Sequence, residues 1–182
     1  HFLFNSLGSL VALIKRNPDQ AVTFTRSLSS QYRYLLEMEN RNVVPIAEEM
    51  EFTRNYIHIQ SIRFGESIRF AAAVPPMPQQ GVPPLAIQTL VENCIKHNMA
   101  SVAHPLAIEI AVANGCITVT NNLNRRTGVV ESTGKGLTNL VKRYSYLTTK
   151  ECRFAVEDGR YSASIPILEI GDVRPEVLDA RH

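Results

Sequence analysis

Along the first third of the chain, apolar residues return at helical intervals. Leu3, Leu7, Leu10 and Ile14 fall at steps of four, three and four, which makes one apolar stripe on a helix. The string "RNPD" then breaks the pattern: Asn17 precedes Pro18, whose ring disfavours helical geometry in the residue before it, and Asp19 can cap the next helix. Ala21, Phe24, Leu28, Tyr32 and Leu35 repeat the spacing to about Met38. "ENRNVVP" reads as a second turn, and a further helix is predicted from Ile46 to about Phe64. Glu48, Glu49 and Glu51 stand early in it, where the helix dipole favours acids. Narrow stripes and almost no glycine predict a helical hairpin or bundle over residues 1–64, dimeric by its pattern. A plain helical core would show the same periodicity.

From Gly65 the period changes. "SIRFAAAVP" reads as a strand, "PMPQQGVPP" as a Pro-rich loop, and residues 84–99 as a helix entered through Pro83-Pro84. "LAIEIAVANGCITVTNN" is two alternating strands around Asn114-Gly115, a strong hairpin signal. A polar loop over 121–133 precedes a glycine-led helix over 136–147, and "CRFAVEDGRYSASIPI" gives a second hairpin about Asp158-Gly159. The whole predicts an α+β chain. The helical segment is followed, over 65–170, by an α/β sandwich with helices on one face of a mixed, mainly antiparallel sheet. Residues 171–182 read as a tail.

Composition narrows the function classes. The chain has 182 residues, 45% hydrophobic and 20% charged, and its formal net charge of +2 offers no general attraction for nucleic acid. Cys94, Cys116 and Cys152 are scattered, without CxxC spacing, which argues against a disulfide framework or zinc site and for a reducing compartment. No apolar run reaches the roughly 18 residues of a membrane span, and no signal peptide is evident. The chain starts inside an amphipathic segment, so it reads as part of something longer.

Three stretches carry candidate chemistry. In "LVENCIKHN", Glu92, Asn93, Lys96 and His97 share one side of a helix at spacings of i, i+3 and i+4. A carboxylate and an amide oxygen suit a magnesium ion, and the cationic groups suit phosphates. An ordinary amphipathic helix shows water the same pattern. In "ESTGKGLTNLVKRY", Gly134 and Gly136 flank Lys135 at a helix mouth, where free N–H groups favour an anion and Ser132 or Thr133 can cap. A mere turn is the competing explanation, and neither a P-loop nor a dinucleotide fingerprint is present. Third, His1 and Asn5 lie one helical turn apart, and neutral imidazole is a nucleophile near neutral pH.

Taken in order, these stretches resemble the LytS-type sensor histidine kinases. "HFLFNSL" is similar to their phospho-acceptor box, "LVENCIKHN" to their N box, and "STGKGLTNLVKRY" to their second glycine box and its helix. "FTRNYIHIQSIRFGE" and "VPPLAIQTLVEN" are also typical of the group. The resemblance covers roughly residues 1–168. It implies a dimerisation and phosphotransfer segment followed by an ATP-binding sandwich of the Bergerat type. It implies His1 as phospho-acceptor with Asn5 one turn away, Asn93 as magnesium ligand, and Glu92 as an acid/base or water-orienting group. Lys96 and His97 would face the phosphates, and Thr133, Gly134, Lys135, Gly136 and Leu137 would shape the phosphate-side lid. ATP, magnesium, a response-regulator aspartate and a second copy of the chain are the implied cofactors and partners. Direct nucleic-acid contact is not implied, and a membrane is implied only through upstream segments of an inner-membrane sensor whose cytoplasmic part this would be.

One departure bears on the nucleotide. The broader class carries an Asp-x-Gly-x-Gly box whose aspartate receives the adenine amino group, whereas here "VTNNLNRR" places Asn121 at that position. An amide oxygen can still accept, without the charge-assisted bond that is about twice as strong as a neutral one. A histidine kinase core is therefore the first expectation. A dimeric signalling module with weakened nucleotide binding is the second, and an ATPase of the gyrase or chaperone kind the third.

Overall fold

The computed structural model describes residues 2–38, 41–124 and 135–171. The candidates His1, Thr133 and Gly134 lie outside them, as does the side chain of Asn5. Three helices come first: α1 (Phe2–Arg16), α2 (Pro18–Glu37) and, after the short strand β1 (Val44–Pro45), α3 (Ile46–Phe64). A 3-10 turn over Gly65–Ser67 leads to β2 (Ile68–Ala73), β3 (Gln80–Val82) and α4 (Ala86–His97). The hairpin β4 (Leu106–Ala113) and β5 (Cys116–Asn122), then α5 (Lys135–Leu147), β6 (Arg153–Glu157), β7 (Arg160–Pro166) and β8 (Leu168–Glu169) complete the order.

The break at "RNPD" is where the sequence puts it, but the cap is Asn17. Its side-chain oxygen accepts from the Gln20 amide at 3.1 Å, and Pro18 occupies the first helical position. Proline's fixed φ suits that position, so the cap falls earlier than Asp19, which lies inside the first turn.

The stripe read along α1 divides into two faces. Leu10 and Leu13 pack beside Phe24 and Leu28 of α2 and Ile59 of α3. Leu7, Val11 and Ile14 remain 43%, 58% and 56% exposed, an apolar row that no described residue covers. α3 is buried on more than one side. Ile59 joins the small helical cluster, while Ile46, Met50, Tyr56 and Ile57 belong to the main core. It is the element shared by the helical segment and the sandwich.

The main sheet has the order β2-β4-β5-β7-β6, with β2 parallel to β4 and the other neighbours antiparallel. Asn114-Gly115 and Asp158-Gly159 all take positive φ, as the two tight hairpin turns require. Ile108, Ile110, Ile117, Val119, Ala163 and Ile165 are buried in one core with Ile87, Leu90, Val91 and Cys94 of α4 and Leu140 and Tyr144 of α5. Each fully buried aliphatic side chain there contributes about 1.5–3 kcal/mol. The architecture is the α+β arrangement expected, with helices packed on a mixed sheet.

A second, three-stranded sheet was not legible in the Pro-rich loop. β1, β3 and β8 pair in the order β1-β3-β8, both pairs antiparallel, and so tie the entry to α3, the entry to α4 and the end of the sandwich together. Gly81 sits at its centre, where an added Cβ would lie 2.5 Å from both the Val44 carbonyl oxygen and Val43 Cγ1. Backbone cannot give way as a side-chain tip can. Gly81→Ala is therefore expected to lower the unfolding free energy by about 2 kcal/mol or more, read as a lower urea midpoint at unchanged slope.

Candidate functional site

The site is built around α4, and its first turn has an unusual origin. The helix is entered through Pro83-Pro84, and Leu85 precedes it at φ 65° and ψ 10°, a left-handed conformation costly for a side chain of that bulk. Leu85 offers no side-chain cap. The cap arrives from α3. The Glu49 carboxylate, 0% exposed, accepts from the amides of Leu85 at 3.0 Å, Ile87 at 3.2 Å and Gln88 at 3.4 Å, and from the Tyr34 hydroxyl of α2 at 3.0 Å. Burial pushes this carboxyl up to about 7, against the opposing pull of its bonds from Leu85, Tyr34, Gln88 and Ile87. The helix N-terminus favours the anion. The dipole argument for acids early in α3 thus has a second outcome: Glu49 serves the start of another helix. Its neighbour Glu48 pairs with Arg41 at 2.9 Å on the surface, a bond of small worth.

The far end of α4 is held to the sheet. Asn98 Nδ2 donates to the Cys94 carbonyl at 2.8 Å, and its Oδ1 accepts from the Asn124 amide at 2.9 Å. The Met99 amide donates to the Asn124 carbonyl at 2.7 Å, so the residues just after β5 clasp the end of the helix. Between these anchors lie the predicted polar residues. Glu92 and Lys96 are exposed, and Asn93 and His97 are half-buried. Asn93 Nδ2 donates to the Thr89 carbonyl at 2.7 Å, while its Oδ1 has no hydrogen bond among the described residues. Its acceptor end is thus left for another partner. Tyr56 of α3 lies close enough to Glu92 for the carboxylate to add to the burial that holds its phenol protonated.

Asn121 stands on the inward face of β5, opposite Ile108, and is 0% exposed. Its Nδ2 donates to the Asn122 carbonyl at 2.6 Å, but its Oδ1 is buried with no partner among the described residues. A buried acceptor left idle costs about 1–3 kcal/mol, so this one asks for a donor. The neighbouring Asn122 has an ordinary structural role: it accepts from the Ala107 amide at 2.8 Å and donates to the Pro105 carbonyl at 3.0 Å, extending the β4–β5 ladder by side chain. Only the first asparagine of the pair carries an unsatisfied group.

Of the glycine stretch, Lys135, Gly136 and Leu137 open α5. A Cβ at Gly136 would touch Thr89 Cγ2 at 3.5 Å, an ordinary contact, so the first turn of α5 lies beside α4 one turn ahead of Asn93. Arg143 Nη1 donates to the Pro84 carbonyl at 2.9 Å, and the buried Tyr144 hydroxyl to that of Pro166 at 3.0 Å, which fixes α5 against both α4's entry and the sheet. The fold therefore gathers Asn93, Gly136 and the end of β5 bearing Asn121 around α4. Asn5 lies apart from that gathering, on α1, which packs against α2 and α3. Among the described residues no group of three or more His, Cys, Asp or Glu side chains forms a metal cluster. Glu49, Tyr34, Leu85, Asn98 and Asn124 were missed by sequence reasoning. The one available signal is negative: "PPLA" offers α4 no Ser, Thr, Asp or Asn at its cap.

Comparison with known proteins points the same way. Residues 1–68 match the histidine kinase family model. The sensor protein LytS of Enterococcus faecalis is 28% identical over 198 aligned positions, covering all of this chain and 33% of that protein. The sensor histidine kinase YesM of Bacillus subtilis is 32% identical over 155 positions, covering 80% of this chain and 27% of its own length. The chain thus spans about a third or less of these relatives. Among solved structures, the cytoplasmic segment of the histidine kinase QseC aligns with a TM-score of 0.47 at 14% identity, over 83% of this chain and 94% of that one. The relatives are sensor histidine kinases, and the sequence matches support a histidine kinase of the LytS-like group.

Proposed function

We propose that this chain is the catalytic core of a two-component sensor histidine kinase, transferring the γ-phosphoryl of ATP to His1 and onward to a response-regulator aspartate. The observation that carries the nucleotide reading is the buried, partnerless Oδ1 of Asn121 on the inward face of β5. Its amide is oriented by the bond to the Asn122 carbonyl, so the oxygen is the atom left to accept from an adenine amino group. Residues 65–170 are the nucleotide-binding sandwich of the Bergerat type and residues 1–64 the phosphotransfer segment, with α3 belonging to both cores.

A magnesium ion held by Asn93 Oδ1 and phosphate oxygens would supply charge neutralisation on the polyphosphate. Lys96 and His97 would face the phosphates, and Lys135, Gly136 and Leu137 at the head of α5 would line that end, with Thr133 and Gly134 assigned to it by resemblance. Glu92 orients a water or moves a proton beside Asn93. The nitrogen lone pair of His1 forms the N–P bond as the bond to the departing ADP oxygen breaks, and Asn5 orients the imidazole one turn away. Positioning and charge do most of the work in such a transfer.

A second copy of the chain is the partner that covers Leu7, Val11 and Ile14, whose exposed row runs along α1. No helix among the described residues is long and apolar enough to cross a membrane. The relatives' names as sensors support a membrane-bound parent with this part on the cytoplasmic side.

The test is incubation of the full-length protein with magnesium and γ-labelled ATP. The expected product is protein-bound label that is stable to base and lost in acid. No label, together with no nucleotide binding by calorimetry, would replace the kinase with the signalling module whose Asn121 no longer holds ATP.

A further inference from the structure

We propose that Glu49 is the positioning residue through which the helical segment sets the nucleotide-binding helix, a role that rests on the kinase reading only for its consequence. Three elements meet at this one carboxylate. Tyr34 reaches it from α2, the residue itself belongs to α3, and three amides at the head of α4 close on it. The carboxylate itself is fully buried, which strengthens the bonds that meet on it. Tyr34 is itself fixed, stacked on Phe52 with ring centroids 4.1 Å apart, and Gln31 one turn before it donates to the Phe52 carbonyl at 2.8 Å. α2 and α3 therefore move as a unit at this level. Whatever shifts that unit pulls on the amides of Leu85, Ile87 and Gln88.

The strained residue makes the linkage directional. Leu85 stays left-handed at φ 65° while its amide is held by Glu49, so the first turn of α4 depends on a contact from outside the sandwich. The remainder of α4 does not: Val91, Cys94 and Ile95 are buried in the main core, and Asn98 is clasped by Asn124. Loss of Glu49 leaves α4 on the sheet and packed against α3 through the main core, but removes the bonds that tie its first amides to α2 and α3. Nucleotide binding then survives, whereas transfer, which needs α4 and the histidine-bearing segment in fixed relation, does not. Glutamine cannot replace it, because its –NH₂ would face donors on whichever side it turned.

The experiment compares full-length wild type, Glu49→Gln, Glu49→Asp and Tyr34→Phe, each below its unfolding transition. Amide hydrogen exchange at 85, 87 and 88 is read beside ATP KM and the saturated rate of autophosphorylation. Glu49→Gln is expected to speed exchange at those amides at least tenfold and lower the saturated rate at least tenfold, with KM within threefold. Glu49→Asp is expected to recover part of both. Tyr34→Phe, which removes a bond to Glu49 and none to an amide of α4, is expected to speed the same amides by a smaller factor. Unchanged exchange in either Glu49→Gln or Tyr34→Phe would overturn the proposal, and so would a saturated rate of Glu49→Gln within threefold of wild type. If wild type takes no label, the kinase reading fails, and the exchange response of Tyr34→Phe still decides whether Glu49 links the two parts.

Discussion

Asn93→Ala lowers the rate of autophosphorylation at saturating ATP by about 100-fold or more, with an unfolding midpoint close to that of wild type. The asymmetry follows from the residue's surroundings. Asn93 is half-buried, and the one hydrogen bond its side chain makes among the described residues goes back to its own helix at Thr89. Alanine is the better helix former, which offsets the loss of that bond. The functional loss is of another order. On the proposed reading, Oδ1, which has no hydrogen bond among the described residues, is the hard oxygen offered to a polyphosphate-bound magnesium, and removing one such electrostatic group typically costs about 100- to 1,000-fold. Initial rates of label uptake read the effect. A fall of less than threefold would remove Asn93 from the site.

On the proposed reading, Asn121 controls base selection rather than rate. Wild type is expected to bind ATP about tenfold or more tightly than GTP, because the Nδ2–Asn122 bond leaves the amide oxygen as the atom that can accept from a base. That oxygen matches the amino donor of adenine and opposes the carbonyl of guanine. Asn121→Ala removes it, weakens ATP by about tenfold, equivalent to about 1.4 kcal/mol, and brings the two nucleotides to near parity. Asn121→Asp tightens ATP through a charge-assisted bond. The same change lowers stability without nucleotide, since a carboxylate oxygen then faces the Asn122 carbonyl in a buried place. Calorimetric titration of the three proteins with both nucleotides, beside urea midpoints, checks each part. Equal ATP binding in wild type and Asn121→Ala would show that Asn121 is merely a core residue.

The features legible in the sequence and those hidden from it divide along the range of the forces involved. The helices of the first segment, the strand at "SIRFAAA" and the hairpins at Asn114-Gly115 and Asp158-Gly159 follow from period and local turn chemistry, and they stand where those place them. The polar candidates Glu92, Asn93, Lys96 and His97 also stand together on α4, because helical spacing alone sets their common side. Periodicity does not say which apolar row meets which neighbour, so Leu7 and Ile14 were read with Leu10 although they face outward. The small sheet was hidden because strands of two or three residues have no period to detect. Glu49 was hidden for a related reason. A surface acid in the first turn of a helix and a buried cap for another helix 36 residues on look the same in one dimension. Only the missing cap at "PPLA" marks the need, and nothing local marks the supplier.

The central claim is where the phosphoryl group goes. The most direct measurement is mass-spectrometric mapping of the labelled full-length protein under conditions that preserve phosphohistidine, beside the His1→Gln variant at equal ATP occupancy. Phosphate on His1 alone, absent from the variant while its ATP binding persists, is the predicted result. Label that maps to another residue, or that His1→Gln retains at the wild-type level, would contradict it.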